Sequence, residues 1–394
     1  MKYDAQKYLI LDRGRVVPVA LGIGLLGLVA SGAGWTVDAP RFYHAWLAAF
    51  LFWLSLALAG LFFTMLHYLT ASRWSVVIRR VSESMMSLIP WFALAFVPIL
   101  LGTHDLFEWS HPETVAADHL LKWKAGYLNV PFFVVRAVVY FAIWAVVVYL
   151  LRKKSLAQDA RPQVDHVAGL RKVSAAGMLL FAVTVTFASF DWIMSLAPHW
   201  YSTIFGVYYF GGMFLAGVSA IALFCMFLRR NGILQESVTV EHYHDLGKLM
   251  FAIVIFWAYI GFSQYFLIWY GNIPEETIWF QARWEGGWKG FSLVLLFGHF
   301  IIPFVYLIFQ GVKRRVLLLG LGAALLVVMH WVDMYWLVYP PYFALGPSLG
   351  WIDIAPVVGL GGLFFAGFWR SFSSHPTVPV GDPWLEKSIN FVNQ

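Results

Sequence analysis

The sequence has little charge and almost no cysteine, and each shortage excludes a class of protein. Only 12% of the 394 residues are charged, about half the usual share in soluble domains, which excludes a water-soluble globular protein. The single cysteine, Cys225, lies inside an apolar run. Internal disulfides, cysteine-held iron–sulfur clusters and thioether-linked haem are therefore excluded in this chain. Any redox centre must belong to a partner or be held by histidine.

Alternation with the period of a β-strand is also missing, whereas long apolar runs are frequent. Hydrophobic residues make up 60% of the chain, and windows of about 20 apolar residues, enough to cross a bilayer as a helix, recur along it. The pattern predicts an all-α integral membrane protein with one polytopic domain over residues 1–394. The ten predicted spans lie near residues 16–35, 44–69, 84–103, 129–151, 173–196, 201–228, 247–270, 289–311, 315–338 and 350–370.

Basic residues are distributed unevenly between the two sides of the predicted membrane domain. They concentrate at the N-terminus, in the loops after spans 2, 4, 6 and 8, and in the C-terminal tail. The opposite loops hold only Arg41, Lys122, Lys124, Arg283 and Lys289. This bias predicts that both termini are cytoplasmic and that the acidic loops 104–128 and 271–288 face outside, where we expect them to dock onto an extrinsic partner. Since the basic residues flank apolar spans, nucleic acid is not an expected partner.

Two short motifs have simpler interpretations than their patterns first indicate. The run Gly22-Ile23-Gly24-Leu25-Leu26-Gly27 matches a dinucleotide-binding fingerprint, but it lies within a span and not after a strand. Small residues there favour close helix packing, as do the glycines of span 10. The run His242-Tyr243-His244-Asp245 resembles a metal cluster without a spaced second half. We predict a solvated cytoplasmic loop and assign no metal.

Ionisable residues inside the spans are the strongest functional signal, because charges in hydrocarbon are costly. The predicted topology places Asp191, Gln264, His330 and Asp333 in the outer half of the membrane. His330 and Asp333 are three residues apart, so they share a helix face and could exchange a proton or a hydrogen bond as a second outer relay. Arg136, at similar depth, is an obvious counter-charge for a carboxylate. His104, Asp105 and His199 cap the group at the outer surface, with Trp192 and Trp200 expected as interfacial anchors. This set predicts the outer half of a proton path, with Asp191 as the carrier and His199 as its outer relay.

A sparser polar set lies toward the cytoplasmic side. It comprises His67, Glu83 and Ser87, while His299, Tyr259 and Ser263 could bridge the two sets through waters. Alternatively, these groups only hydrogen-bond across helices and hold the bundle together. A bis-histidine haem needs two histidines on facing helices at matched depth. His67 lies near one surface and the other histidines lie deeper, so no haem is assigned.

Several segments together resemble a known family over nearly the whole chain. These are Tyr43-His44-Ala45-Trp46, Met65-Leu66-His67-Tyr68-Leu69-Thr70, Phe190 to Tyr209, Gln264-Tyr265-Phe266-Leu267-Ile268-Trp269-Tyr270 and Asn272-Ile273-Pro274-Glu275-Glu276. They look like the NrfD-like membrane subunits of bacterial alternative complex III, of the ActF type. The resemblance implies two four-helix bundles, spans 2–5 and spans 6–9, flanked by spans 1 and 10.

The resemblance also implies a function and a set of partners. It implies a subunit of a quinol:electron-acceptor oxidoreductase in a bacterial inner membrane, where electrons pass from quinol to iron–sulfur clusters and c-type haems held elsewhere. Expected partners are a sister NrfD-like subunit, an iron–sulfur subunit, c-type haem subunits, a terminal oxidase and bilayer lipids. The sister subunit is usually assigned the quinol site. For this subunit the resemblance implies a proton-conducting or coupling role, and a pocket for menaquinone or ubiquinone stays open.

Two other functions fit the residues alone. Ten spans with buried charges suit an autonomous secondary transporter, although repeated halves and broken helices are not evident in the sequence. Histidines on several spans suit a haem-b membrane anchor. Because the chain carries no redox ligands of its own, we expect enzymatic activity only in the assembled complex.

Overall fold

The structure is a computed structural model that describes residues 5–11, 14–161 and 166–393. In this part of the chain, ten helices are long and apolar enough to cross a membrane, and no residue lies in a strand. The expected all-α class and the ten spans are therefore confirmed. Spans 1 to 10 are Val16–Val37, Ala39–Leu69, Trp74–Leu101, Val130–Ala160, Val167–Leu196, Phe205–Arg230, Val240–Gly271, Trp288–Leu307, Val316–Val338 and Trp351–Phe372.

Spans 2 and 6 form the centre of the molecule. Buried residues make up 89% of the most apolar window of span 2 and 83% of that of span 6. Span 2 contacts spans 1, 3, 5, 6, 9 and 10, and span 6 contacts spans 2, 3, 5, 7 and 9. A helix that is apolar on every face is expected to be enclosed by other helices in this way.

Spans 2 and 6 each belong to a closed ring of four neighbouring spans. Span 2 contacts span 3, span 3 contacts span 4, span 4 contacts span 5, and span 5 returns to span 2. Spans 6, 7, 8 and 9 make a second closed sequence of contacts in the same way. Spans 1 and 10 pack along each other and against span 2. Polar side chains pointing into either ring are therefore withdrawn from lipid.

Glycines bring spans 1 and 10 into close contact, which confirms that the glycine motif serves packing. A Cβ atom placed on Gly27 would lie 2.3 Å from the Gly359 nitrogen, and one on Gly362 would lie 2.3 Å from the Gly24 nitrogen. No side chain fits between these backbones. By contrast, a Cβ on Gly22 would meet nothing within 4 Å.

This contrast within one motif predicts a selective effect of substitution. Gly27→Val should lower the free energy of unfolding by about 1–3 kcal/mol or more, because overpacking must push spans 1 and 10 apart. Gly22→Val is the matched control and should leave stability unchanged. The measurement is the unfolding midpoint of each purified variant in one detergent. Equal midpoints for the two variants would contradict the packing assignment.

Two spans are interrupted. Span 3 consists of a 3₁₀ turn Trp74–Ile78 followed by the short helices Arg79–Met86, Ile89–Ala95 and Val97–Leu101. The last two begin with a proline among their first residues, and proline removes a backbone donor from a helix. Span 8 contains a π-helical segment, Leu296–Ile301. π-Helical turns are rare and are frequent at functional sites.

The loops 104–128 and 271–288, which the charge bias predicts to face outside and which we call the outer loops, fold into short helices instead of remaining extended. The 104–128 loop contains Pro112–Ala117 and His119–Lys124, and the 271–288 loop contains Pro274–Ala282. Trp279 of the second loop stacks on Trp200, with ring centroids 4.4 Å apart. The outer loops therefore cover the ends of the spans and contribute side chains to the polar groups beneath them.

The predicted solvated loop around His242 is wrong. Residues 242–245 form the first turns of span 7 and are buried, because the C-terminal tail packs over them. The His242 ring contacts the Ser388 carbonyl through Nε2 at 3.0 Å, and Asn393 donates to Asp245 at 2.8 Å. Polar residues beside a span looked solvent-facing in sequence because the tail that covers them is distant along the chain.

Candidate functional site

Arg136 and Asp191 form a bidentate ion pair between spans 4 and 5. Nε of Arg136 donates to Oδ2 of Asp191 at 2.8 Å, and Nη2 donates to Oδ1 at 2.9 Å. The hydroxyl of Tyr140 donates to the same Oδ2 at 2.7 Å. Asp191 is fully buried, and Arg136 nearly so. Three donors aimed at two oxygens satisfy both oxygens of the carboxylate, and the bidentate geometry is that of a strong charge-assisted hydrogen-bonded pair.

The arginine side of this pair is equally well fixed. Nη1 donates to the Tyr127 carbonyl at 2.8 Å, and the guanidinium lies over the rings of Tyr127 and Phe132 at 3.8 and 4.5 Å. Aromatic faces stabilise a cation where water is excluded. Every strong donor and acceptor of the pair therefore has a partner, which is the condition for a stable buried ion pair.

The two tryptophans expected as interfacial anchors are core residues. Trp192 and Trp200 are each 2% exposed. Trp192 stacks on Phe141 and meets Trp144 edge to face, while Trp200 lies beneath the outer helix that carries Trp279. The prediction was wrong because the outer loops fold back over the ends of spans 5 and 6.

A second buried carboxylate, Asp333 of span 9, is only partly satisfied. Its Oδ1 accepts from the Tyr208 hydroxyl of span 6 at 2.7 Å. Neither its Oδ2 nor the indole N–H of Trp257 makes a hydrogen bond of normal distance and angle within the described residues, although this N–H lies close enough to the carboxylate to interact with it. Unlike Asp191, this carboxylate has no cation beside it within ion-pair distance in the part of the chain described. Buried polar atoms in this situation are ordinarily satisfied by ordered water.

His330, one turn before Asp333, has one engaged and one free ring nitrogen. Nε2 pairs with the Ser55 hydroxyl of span 2 at 2.8 Å, whereas Nδ1 has no partner among the residues described. The sequence-based expectation of direct exchange between His330 and Asp333 is therefore not met by a direct bond. Both groups instead converge on Gly212, where a Cβ would lie 3.3 Å from Oδ2 of Asp333 and 3.3 Å from Nδ1 of His330. Only glycine leaves this space open.

His299 extends this group toward span 8. It lies in the π-helical segment, is fully buried, and neither ring nitrogen has a partner among the described residues. Its ring packs against Trp257 in a tilted arrangement, with centroids 4.2 Å apart. We name His299, Trp257, Tyr208, His330 and Asp333 the central cluster. It gathers polar side chains from spans 6, 7, 8 and 9 in the interior of the second ring, and those from spans 7, 8 and 9 include unsatisfied donors or acceptors.

An outer cavity of about 270 Å³ lies above the central cluster and is lined by His199, Glu108 and Arg283 among others. Arg283 is 3% exposed and donates only to the carbonyls of Trp279 and Leu337, at 3.0 and 3.1 Å. Burial lowers the pKa of Arg283 well below its usual range. Its guanidinium sits 3.5 Å from the Trp279 ring centroid, which compensates part of that cost.

The remaining outer residues make local contacts. His199 pairs with Asp118 at 2.7 Å and not with Asp191, so it does not relay protons directly from that carboxylate. The His199 contact and the amides of Leu120 and Leu121 lower the pKa of Asp118. His104 and Asp105 are exposed at the outer end of span 3, where the His104 and His111 rings meet at 3.8 Å. Gln264 accepts from Ser202 at 3.0 Å.

At the ends of the spans opposite to the loops 104–128 and 271–288, Glu83 belongs to a buried ion network. It pairs with Arg80, which also pairs with Asp159, and Ser155 donates to Glu83 at 2.7 Å. Ser87 bonds instead to Ser371 of span 10 at 2.9 Å. The His67 ring contacts the Phe63 carbonyl at 2.7 Å and stacks on Phe63. The expected inner set is therefore split into three separate contacts.

Tyr259 and Ser263, two of the three residues predicted to bridge the polar sets, do not belong to the central cluster. Tyr259 is 64% exposed on the outside of span 7, and Ser263 is half-buried on the same helix. Only His299 of the three bridging residues enters the central cluster. The sequence did not indicate the side of the helix on which Tyr259 and Ser263 lie.

Sequence reasoning missed several residues of these groups. Tyr140, Tyr208, Trp257 and Ser55 were not singled out, because aromatic and hydroxyl side chains are common in membrane spans. Arg80 was counted as a loop charge, although it is 4% exposed. A usable signal was the Tyr208-Tyr209 pair in the apolar span 6, since a buried tyrosine hydroxyl usually has a partner.

The site as a whole combines an ion pair whose hydrogen-bonding groups are all satisfied with a polar cluster in which several are not. The Arg136–Asp191 pair can hold helices together but has no vacant acceptor. The central cluster has vacant donors and acceptors on a carboxyl group and two imidazoles, which are groups able to take and release protons. The chain matches no family model and no curated protein. What it does has to be inferred from its own residues and contacts.

Proposed function

We propose that this chain is a membrane subunit of a quinol-oxidising complex of the alternative complex III type, located in a bacterial inner membrane. In that complex it moves or couples protons, while iron–sulfur and c-type haem subunits carry the electrons. The observation that carries the proton role is the central cluster, in which Asp333, His330 and His299 retain unpaired polar atoms inside the helix bundle. Intramembrane ionisable groups of this kind mark ion and proton pathways.

Several features support the choice of complex. The Phe190 to Tyr209 and Gln264 to Tyr270 segments resemble NrfD-like subunits, and in the fold they supply Asp191, Tyr208 and Gln264 to the outer polar groups. The two closed rings of contacts, spans 2–5 and 6–9, are compatible with the two four-helix bundles that the resemblance implies. The excess of basic residues on one side supports cytoplasmic termini.

Within this function the two carboxylates have different roles. Asp333 and His330 exchange protons across the space at Gly212, with Tyr208 and His299 extending the route. The Arg136–Asp191 pair fixes spans 4 and 5 and shapes the outer end. The Arg80–Glu83–Asp159 network and His67 lie at the cytoplasmic end, where protons would enter or leave. This assignment moves the carrier from Asp191 to Asp333, because only Asp333 lacks a cation partner among the residues described.

An autonomous secondary transporter is the second candidate, and one observation favours it. Spans 3 and 8 are both interrupted. Transporters commonly have broken helices beside their binding sites. The polar groups of the central cluster adjoin the interrupted span 8 through His299.

Purification from a native membrane distinguishes the two functions. A complex subunit should copurify with proteins whose spectra show c-type haem and iron–sulfur centres, and the preparation should oxidise a quinol. Isolation of the chain alone, with substrate uptake after reconstitution and no haem absorbance, would establish the transporter instead. A Soret band retained by the isolated chain would establish the haem-anchor alternative.

A further inference from the structure

A long groove opens on the lipid-facing side of spans 1, 3 and 10. Its volume is about 800 Å³, within the range of about 300–1,000 Å³ typical of ligand pockets. Its walls include Leu21 of span 1, Leu94 of span 3 and Leu363 of span 10. Trp91 and Leu94 are 68% and 66% exposed, so large apolar side chains remain uncovered by the chain itself.

The groove is polar at one end only. At the end that the charge bias places in the cytoplasm, it is lined by Ser87, Arg370, Ser371, Ser374 and His375. The Arg370 side chain is exposed and forms no hydrogen bond or ion pair within the described residues. At the other end the lining is apolar. A ligand with one charged end and one hydrocarbon end fits this distribution.

The charge at the polar end is positive. Arg152 donates to the Ser371 hydroxyl at 2.6 Å and to the Glu83 carbonyl at 3.1 Å, and neither acceptor is a carboxylate. The Glu83 carboxylate is already engaged by Arg80 and Ser155. Burial, together with Arg152 and Arg80, lowers the pKa of His375. At neutral pH this imidazole is therefore a neutral hydrogen-bonding group beside the guanidinium groups of Arg152 and Arg370.

The length of the groove indicates which amphiphile fits. From Leu360 to Arg370, span 10 rises about 15 Å at the usual helical rise, which is half of a hydrocarbon core of about 30 Å. A transmembrane helix of a partner would extend across the whole hydrocarbon core and would not require a cationic group at one end of the groove. A quinone head group is neutral and gains little from two arginines. An acyl chain of one leaflet, attached to an anionic head group, matches both the length and the charge.

We propose that this groove binds one anionic phospholipid of the cytoplasmic leaflet. The phosphate group is held by Arg370, with Ser374, His375 and the Arg152-linked Ser371 beside it, and the acyl chains lie along Leu21, Leu94 and Leu363. Basic pockets between spans on the cytoplasmic side are known to bind anionic lipid head groups in this manner. The site is independent of the proposed function, because it faces away from the central cluster.

Lipid retention by the purified protein, with any bound partners, tests the proposal. After delipidation, native mass spectrometry with added phosphatidylglycerol should show one tightly bound lipid. Phosphatidylcholine should bind about fivefold more weakly, because its choline cation offsets the phosphate charge that Arg370 attracts. Arg370→Gln should weaken phosphatidylglycerol binding about fivefold. Leu363→Trp, which fills the groove, should weaken both lipids. Lys153→Gln, an exposed cytoplasmic charge away from the groove, is the control and should match the parent protein.

Two results would overturn the proposal. Equal retention of the two lipids, or unchanged phosphatidylglycerol binding by both Arg370→Gln and Leu363→Trp, would show that the groove selects no anionic lipid. Because Cys225 is buried, a Leu94→Cys variant offers one accessible thiol. Crosslinking of that thiol to a partner subunit would show that a protein segment occupies the groove instead.

Discussion

Arg136→Gln should cost about 3–5 kcal/mol of unfolding free energy, the usual penalty for removing one partner of a buried ion pair. The change leaves the fully buried Asp191 carboxylate with the Tyr140 hydroxyl as its remaining side-chain donor. A double variant, Arg136→Met with Asp191→Leu, should recover most of that loss, because neither charge then remains unpaired. The measurement is the free energy of unfolding in mixed micelles titrated with sodium dodecyl sulfate.

The matched control is Arg171→Gln, which removes an exposed arginine from the other end of span 5 and should change little. Asp191→Asn separates a structural role from proton transfer. If the pair is structural, this variant loses stability, and the surviving complex still releases protons. Normal stability together with abolished proton release would show that Asp191 is the carrier and that the pair opens during turnover.

Much of the fold could be predicted because the membrane imposes it. Span number follows from the length of apolar runs, and the Arg136–Asp191 contact follows from opposite charges at equal depth in adjacent spans. Neither conclusion needs the rotation of a helix about its axis. The order and length of the spans, together with the positions of opposite charges along neighbouring spans, were therefore sufficient for both.

The rotation of each span about its own axis and the positions of the loops could not be predicted. Span 7 is apolar on most of its surface, so its pattern does not show that Trp257 faces inward while Tyr259 faces lipid. The His199–Asp118 contact depends on how the 104–128 loop folds, which short polar helices do not specify. Likewise, Arg79 and Arg80 are buried because the C-terminal tail and the end of span 4 reach them through Asp382 and Asp159.

One part of the central cluster could be predicted from the sequence, and another part could not. His330 and Asp333 were identified from their spacing on one helix face. Their environment depends on Gly212 of span 6, which has no side chain and therefore gives no functional signal in the sequence. A glycine in a span is ordinarily a packing residue, and only its distances to Oδ2 and Nδ1 reveal that it keeps a polar space open. Testing that space requires a change that leaves every titratable group in place.

In the proposed complex, Gly212→Ala should slow proton transfer through the central cluster by about a hundredfold, the lower bound for loss of a positioned proton-transfer group. Quinol oxidation liberates its own protons in every variant, so the measured quantity is proton movement beyond that amount. The new methyl group would lie 3.3 Å from both Oδ2 of Asp333 and Nδ1 of His330. It would occupy the space in which a proton must pass between them. Gly211→Ala is a control from the adjacent residue, because its Cβ meets Phe256 at an ordinary 3.5 Å. Proton release and quinol oxidation are measured together in proteoliposomes.

Asp333→Asn tests the same route by removing the titrating group. The asparagine oxygen still accepts from Tyr208, so the proposed complex should assemble and oxidise quinol, while proton movement beyond that liberated by quinol oxidation falls as far as in Gly212→Ala. An infrared difference spectrum of the parent complex should contain a carboxyl band that Asp333→Asn removes and Gly211→Ala retains. Equal proton release by the Gly212→Ala and Gly211→Ala complexes would place the proton route elsewhere. The polar groups of spans 6 to 9 would then serve only to hold those helices together.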